Sequence, residues 1–290
     1  MNAMSQDRRR TRLREILNGP DCVTASSLFD PMSARIADDL GFEVGLMGGS
    51  VASLAVLGAP DLSLITLTEL VEQARRVCRT CRLSVLVDAD HGYGNALNVV
   101  RTIEEMQAVG VAGVTLEDTL LPAAFGQAAK VQLISVEEGV GKMKAAVRAR
   151  GNSGMVVLGR TSAASITGTD NAIRRLRAYE KAEVDALFIP GLKTREQLDA
   201  IAGAVKLPLV LAACDERLGD AAYLASRGVK IWMAGHHAFA AAVQAMYDTL
   251  KAVRDGSPPS RLRGIAPADL MARLTQAAYY QTLETEFGLR

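Results

Sequence analysis

Aromatic residues make up only 4% of this 290-residue chain, although 49% of it is hydrophobic, so its core must be aliphatic. Charge of one sign is also missing. The 33 Lys and Arg stand against 32 Asp and Glu, a formal net charge of +1, and no whole-chain field draws it to nucleic acid or membrane. No run approaches the roughly 18 uninterrupted apolar residues of a spanning helix, and no secretory pattern is read at the start. Histidine is scarce at three and cysteine at four. Cys78 and Cys81 form a C-x-x-C with no second pair, so zinc and redox roles are set aside. These absences predict a protein of the reducing cytoplasm. The run from Arg8 to Arg14 is the local exception, expected to be a solvated helix face ahead of the fold.

What is present is alternation. Short Val-, Leu- and Ile-rich runs recur, separated by amphipathic stretches of helical length, which argues for βα units and a parallel sheet. The expected strands are Cys22–Ser26, Glu43–Gly49, Ser84–Asp90, Gly113–Asp118, Met155–Thr161, Ala186–Gly191, Pro208–Ala213 and Lys230–Gly235. Eight such runs predict a (β/α)8 TIM barrel, because a doubly wound sheet usually stops nearer six. Helix starts are visible at Thr68 and at Thr194-Arg-Glu-Gln, a capping-box pattern. The segment Asp255-Gly-Ser-Pro-Pro-Ser260 is the clearest break. It divides a barrel with its N-terminal helix (1–256) from a helical tail (257–290), with helices expected over Pro267–Tyr279 and Gln281–Phe287. The tail is expected to pack on the barrel or on a neighbouring subunit.

The reactive side chains gather at the carboxyl ends of the runs, where barrel active sites form. Asp88 and Asp90 alternate at one strand end, so both are expected to face the mouth, with Glu117 beside them. Three converging carboxylates repel unless a divalent cation joins them, and oxygen-only ligands favour Mg2+ or Mn2+ over zinc. The bland reading is that Asp90 and Glu117 cap loops or pair with Arg160. Gly48-Gly49-Ser50 can offer backbone N–H groups and a hydroxyl to an anionic oxygen. Arg160 suits a bidentate clamp on a substrate carboxylate, or an ion pair with Glu117, or both. All three histidines fall at this rim. His236 or His237 can bind a carboxylate or move a proton, while His91 either orders its loop or touches substrate.

The string Asp88-Ala-Asp-His-Gly-Tyr-Gly-Asn95, followed by Leu116-Glu-Asp-Thr-Leu-Leu-Pro122, resembles the signature of the phosphoenolpyruvate mutase/isocitrate lyase superfamily. Phe29-Asp-Pro-Met-Ser-Ala-Arg-Ile-Ala37, Gly48-Gly-Ser-Val-Ala-Ser53 and Pro60-Asp61 extend the likeness to nearly the whole chain up to about residue 250. Asp30-Pro-Met-Ser-Ala-Arg35, the Asp90-to-Asn95 string and Val136-Glu-Glu-Gly-Val-Gly-Lys142 most resemble the oxaloacetate decarboxylase branch. The resemblance implies a small α-oxoacid chelated to Mg2+, with Asp88 as direct ligand and Asp61, Asp90 and Glu117 acting through water. It also implies that Gly49 and Ser50 hold the oxyanion side, that Arg160 holds a carboxylate, and that His236 closes the far end. Exchange of the last helices within a dimer, and a dimer-of-dimers homotetramer, are further implications.

Members of the superfamily differ in the loop after the fourth strand. Isocitrate- and methylisocitrate-type lyases carry a Cys-Gly-His string there, and the mutase and phosphonopyruvate hydrolase branches place asparagine and other polar residues. Here the loop is Pro122-Ala-Ala-Phe-Gly-Gln-Ala-Ala-Lys130, without cysteine, histidine or asparagine. The resemblance therefore implies decarboxylation of oxaloacetate to pyruvate and CO2 through a metal-stabilised enolate, a reaction that needs no cysteine acid. Thr161-Ser-Ala-Ala-Ser165 and Leu211-Ala-Ala-Cys-Asp215 depart from the branch, which keeps a 3-substituted oxaloacetate in view. The rival readings are a carbon–carbon lyase or hydrolase on a related malate or phosphonopyruvate-like oxoacid, and a barrel that binds an oxoacid without turning it over.

Overall fold

A computed structural model of the chain describes residues 6–123, 125, 126 and 131–289. They fall into two compact units, one within Met4–Gly235 and one within His236–Arg290. The first holds nine parallel strand segments: β1 (Val23–Thr24), β2 (Ser26–Ser27), β3 (Val44–Met47), β4 (Ser84–Asp88), β5 (Gly113–Glu117), β6 (Val156–Arg160), β7 (Ala186–Pro190), β8 (Leu209–Ala212) and β9 (Val229–Met233). β1 and β2 are two halves of one strand interrupted at Ala25. β1 pairs with β9 and β2 with β3, so the sheet closes on itself as an eight-stranded barrel. The expected barrel is present, with observed strands shorter by one to three residues than most of the apolar runs that announced them.

Alternation along each strand sorts side chains into two cores. Leu46, Leu86, Val156, Leu158, Phe188, Val210 and Ile231 fill the barrel interior. Met47, Val85, Val87, Val114 and Val157 point outward into the layer shared with the helices. Each fully buried aliphatic side chain adds roughly 1.5–3 kcal/mol, which lets so few aromatics suffice. Helix starts follow the capping signals. Thr66 and Glu69 form a capping box on Leu67–Cys78, one residue earlier than the Thr68 start expected, and Thr194 with Gln197 caps Arg195–Ala202.

The arginine run corrects one expectation. Helix Gln6–Asn18 sends Leu13, Ile16 and Leu17 into the barrel interior, plugging its amino-terminal end. Gly113 admits Leu13, because a Cβ there would lie 3.0 Å from the leucine. Arg8 and Arg12 are exposed, but Arg9 and Arg10 are buried. Arg9 donates to the Cys78 carbonyl, and Arg10 donates to Val111, Ser153 and Gln107 carbonyls at 3.2, 3.1 and 3.0 Å. Arg14 donates to the Gly154 and Met155 carbonyls and to Asp185. A charged run reads as solvated until loop carbonyls need donors, and guanidinium supplies five. Cys78 and Cys81 lie in the same region. Burial pushes their thiols up to about 12 and about 11, which leaves them inert at neutral pH.

The second unit carries helices His237–Arg254, Ala268–Leu274 and Ala277–Glu286. The single helix expected over Pro267–Tyr279 is broken at Gln276, whose φ is +57°. Among the described residues, no helix is long and apolar enough to cross a membrane.

Candidate active site

The site follows from phase and register. Asp88 continues the inward-facing positions of β4 after Leu86; Glu117 does so after Thr115 in β5, and Arg160 after Leu158 in β6. Parallel pairing then sets Asp88 beside Thr115, Glu117 beside Arg160, and Arg160 beside Phe188. Thr115 Oγ1 donates to Asp88 Oδ1 at 2.9 Å. Arg160 Nη1 donates to Asp88 Oδ2, while its Nη2 lies 3.0 Å from Glu117 Oε2. The guanidinium sits 5.5 Å over the Phe188 ring, a cation–π contact that fixes its plane. Arg160 thus pairs with Asp88 as well as with Glu117.

Asp90 arrives by a different route from the one expected. It lies beyond β4, not in it, with φ +45°, in a turn where Gly92, Tyr93 and Gly94 also have positive φ. Its N–H donates to Asp88 Oδ1 at 3.3 Å and its carbonyl accepts from Glu117 N–H at 2.8 Å. Left-handed backbone at a non-glycine residue is a strained arrangement that functional sites retain. The carboxylate lies against Gly49: a Cβ built there would stand 2.6 Å from Asp90 Oδ1. Gly49 opens the short helix Gly49–Ala52, whose first N–H groups have no acceptor within the helix, and Ser50 is next.

Acids packed this closely disturb one another. Burial first, then Asp88 and Glu117, hold the Asp90 carboxyl well above the usual carboxylate range. Burial pushes Glu117 up to about 7; Arg160 opposes that and Asp88 adds to it. Burial and Asp88 also raise Asp61, which lies on the exposed rim. Arg160 stays charged because Asp88 and Glu117 outweigh its burial. Glu117 therefore binds its proton more tightly folded than unfolded. Its contribution to stability is present below about 4.5 and is lost as pH rises through about 7. With EDTA present, Glu117→Gln should match the wild type near pH 4.5. It should exceed it by about 3 kcal/mol above pH 7 in urea titrations; a gap independent of pH would contradict this.

The set fits a divalent cation. Among the described residues no three His, Cys, Asp or Glu side chains form a ready cage. A hard cation that keeps several waters needs only one or two direct carboxylates, and the acid set has charge to neutralise.

Other expected residues lie as follows. Among the described residues His91 Nδ1 is buried without a hydrogen-bond partner, and burial then Lys142 push its imidazole down to about 4. Its backbone carbonyl accepts from Lys142 Nζ at 3.0 Å. His236 caps helix His237–Arg254 and belongs to the second unit. In the loop after β5, residues 124 and 127–130, Lys130 included, lie outside the described residues. Asp118 points away from the mouth, bonded by Arg175 Nη1 at 3.0 Å and Tyr179 Oη at 2.7 Å. Sequence reasoning did not single out Thr115, Phe188, Arg175 or Lys142. The inward phase of Thr115 and Phe188 was available to find the first two; nothing local marks the others.

The family described as phosphoenolpyruvate phosphomutase matches residues 13–254. A protein of Bradyrhizobium diazoefficiens described as oxaloacetate decarboxylase is 58% identical over 270 residues, 93% of each chain. One of the same description from Rhodopseudomonas palustris (strain BisA53) is 58% identical over 273 residues, 94% of each. Among solved structures, phosphonopyruvate hydrolase in complex with oxalate and Mg2+ superposes with a TM-score of 0.85 at 28% identity, covering 96% of this chain and 98% of that one. Oxaloacetate acetylhydrolase with 3,3-difluorooxalacetate gives 0.84 at 27%, covering 97% of both.

Proposed function

The chain belongs to the phosphoenolpyruvate mutase/isocitrate lyase superfamily of enzymes, and we propose that within it this is a carboxy-lyase converting oxaloacetate to pyruvate and CO2 with Mg2+, or Mn2+, as cofactor. The observation that carries the reading is the strand-end acid set bridged by Arg160, joined to a neighbouring loop that holds no cysteine or histidine. Asp88 would hold the cation directly, and Asp61, Asp90 and Glu117 through water. When bound, the cation supplies electron withdrawal at the C2 carbonyl, which is β to the C4 carboxylate. Gly49 and Ser50 orient the carbonyl side through N–H groups and the Ser50 hydroxyl. Arg160, stacked on Phe188, binds a substrate carboxylate and can release Glu117 when it does so. Breaking the C3–C4 bond releases CO2 and leaves the enolate of pyruvate, which is then protonated at C3.

Ser162 and Cys214, at the ends of β6 and β8, are the residues through which a 3-substituted oxaloacetate would be told from oxaloacetate. The protein acts in the cytoplasm as a homotetramer, a dimer of dimers exchanging the last helices. The exposed Val243, Met246, Tyr247 and Leu250 on His237–Arg254 support that assembly. The test is a panel of oxaloacetate, phosphonopyruvate, 2-methylisocitrate and 2,3-dimethylmalate with Mg2+. Pyruvate from oxaloacetate with no cleavage of the other three is expected. Turnover of a malate derivative alone would move the assignment to a carbon–carbon lyase, and oxoacid binding without turnover would leave a binding barrel.

A further inference from the structure

Helix Val136–Arg150 exposes Glu137, Glu138, Lys144 and Arg148 and pairs its half-buried Arg150 with Asp185, but Lys142 is buried, with 4% of its surface exposed. A buried ammonium is expensive unless a charge partner compensates it. Among the described residues it forms no ion pair. Its Nζ instead donates to the His91 carbonyl at 3.0 Å, with Glu117 and Glu138 the acids whose fields reach it. An uncharged methionine, one atom shorter, would occupy that position at lower cost, so the ammonium calls for a reason beyond packing.

The His91 carbonyl belongs to the turn that holds Asp90 at φ +45°. Two further contacts hold that turn. Thr102 Oγ1 donates to the Gly92 carbonyl at 3.2 Å, and Glu117 N–H donates to the Asp90 carbonyl. Consecutive carbonyls at residues 90, 91 and 92 are therefore each tied to the body of the barrel. Lys142 makes the one tie that comes from helix Val136–Arg150. Strained backbone persists only where its surroundings over-determine it.

We propose that Lys142 is a positioning residue: by holding the His91 carbonyl it keeps the left-handed turn that presents the Asp90 carboxylate to the cation. This rests on the cation-dependent reading given above. Its sign is diagnostic. Removing a positive charge near Glu117 would tighten cation binding by Coulomb's law alone, whereas releasing the turn would weaken it.

The test is Mn2+ alone added to the full-length protein, without substrate, with free Mn2+ read by electron paramagnetic resonance. Lys142→Met should raise the Kd about tenfold or more, as loss of a group that orients a ligand typically does. Thermal melts should show the variant folded. An unchanged or lower Kd would overturn the proposal. Thr102→Val, isosteric and uncharged, loosens the same turn from its other side and should raise the Kd a few-fold. If Lys142→Met fails to fold, an unchanged Kd in Thr102→Val overturns the proposal in its place. Absence of Mn2+ binding by the wild type would instead sink the functional reading beneath it.

Discussion

Asp88→Asn is expected to lower kcat for oxaloacetate decarboxylation by about 10³-fold or more while the barrel stays folded. The substitution is nearly isosteric. The amide oxygen of the new side chain can still accept from Thr115 Oγ1, and Arg160 keeps Glu117 as a partner at 3.0 Å. What disappears is the negative charge at the end of β4, which both the cation and Arg160 use. Removing one member of a buried ion pair destabilises, so a lower melting temperature is also expected. The two effects separate by assaying well below that temperature and by raising the Mg2+ concentration. A kcat within tenfold of wild type, in a folded protein, would refute Asp88 as the direct ligand.

Gly49→Ala should weaken Mn2+ binding about tenfold or more and cut kcat/KM about a hundredfold, with little change in melting temperature. The backbone is not the obstacle, because Gly49 is helical and its φ is not in the left-handed region. The obstacle is the new methyl group, 2.6 Å from Asp90 Oδ1 and 3.0 Å from Oδ2. Asp90 must swing away, although its own backbone is held by the turn. Gly141→Ala is the matched control: nothing among the described residues lies within 4 Å of its added Cβ, it sits on an exposed helix face, and it should gain roughly 1 kcal/mol with activity unchanged. Equal behaviour of the two alanine variants would show that close packing of Asp90 on Gly49 has no bearing on the chemistry.

The barrel is legible in the sequence because each strand is a short β-branched or leucine run, and closure needs only their number. Asp88, Glu117 and Arg160 are legible for the same reason. Inward phase at a strand end is a local property, and the residue two positions earlier fixes it. Asp90 reads as part of the strand because a left-handed turn leaves no apolar pattern. Its clue is the clustering of Gly92 and Gly94 after it. Arg9 and Arg10 read as solvated because a charged residue looks alike on an exposed face and beneath a ring of carbonyls. Lys142 stands in a motif that carries the resemblance, but its partner is a backbone carbonyl 51 positions away in the chain, and sequence spacing cannot show that.

The central claim is that this barrel decarboxylates oxaloacetate with a divalent cation held by its strand-end acids. The direct measurement follows pyruvate formed from oxaloacetate by the full-length protein with Mg2+ and with EDTA, each corrected for the rate without protein. The account requires turnover well above the uncatalysed Mg2+ reaction, abolished by EDTA and restored by added Mg2+. A rate equal to the protein-free control, or one that EDTA leaves unchanged, would contradict it.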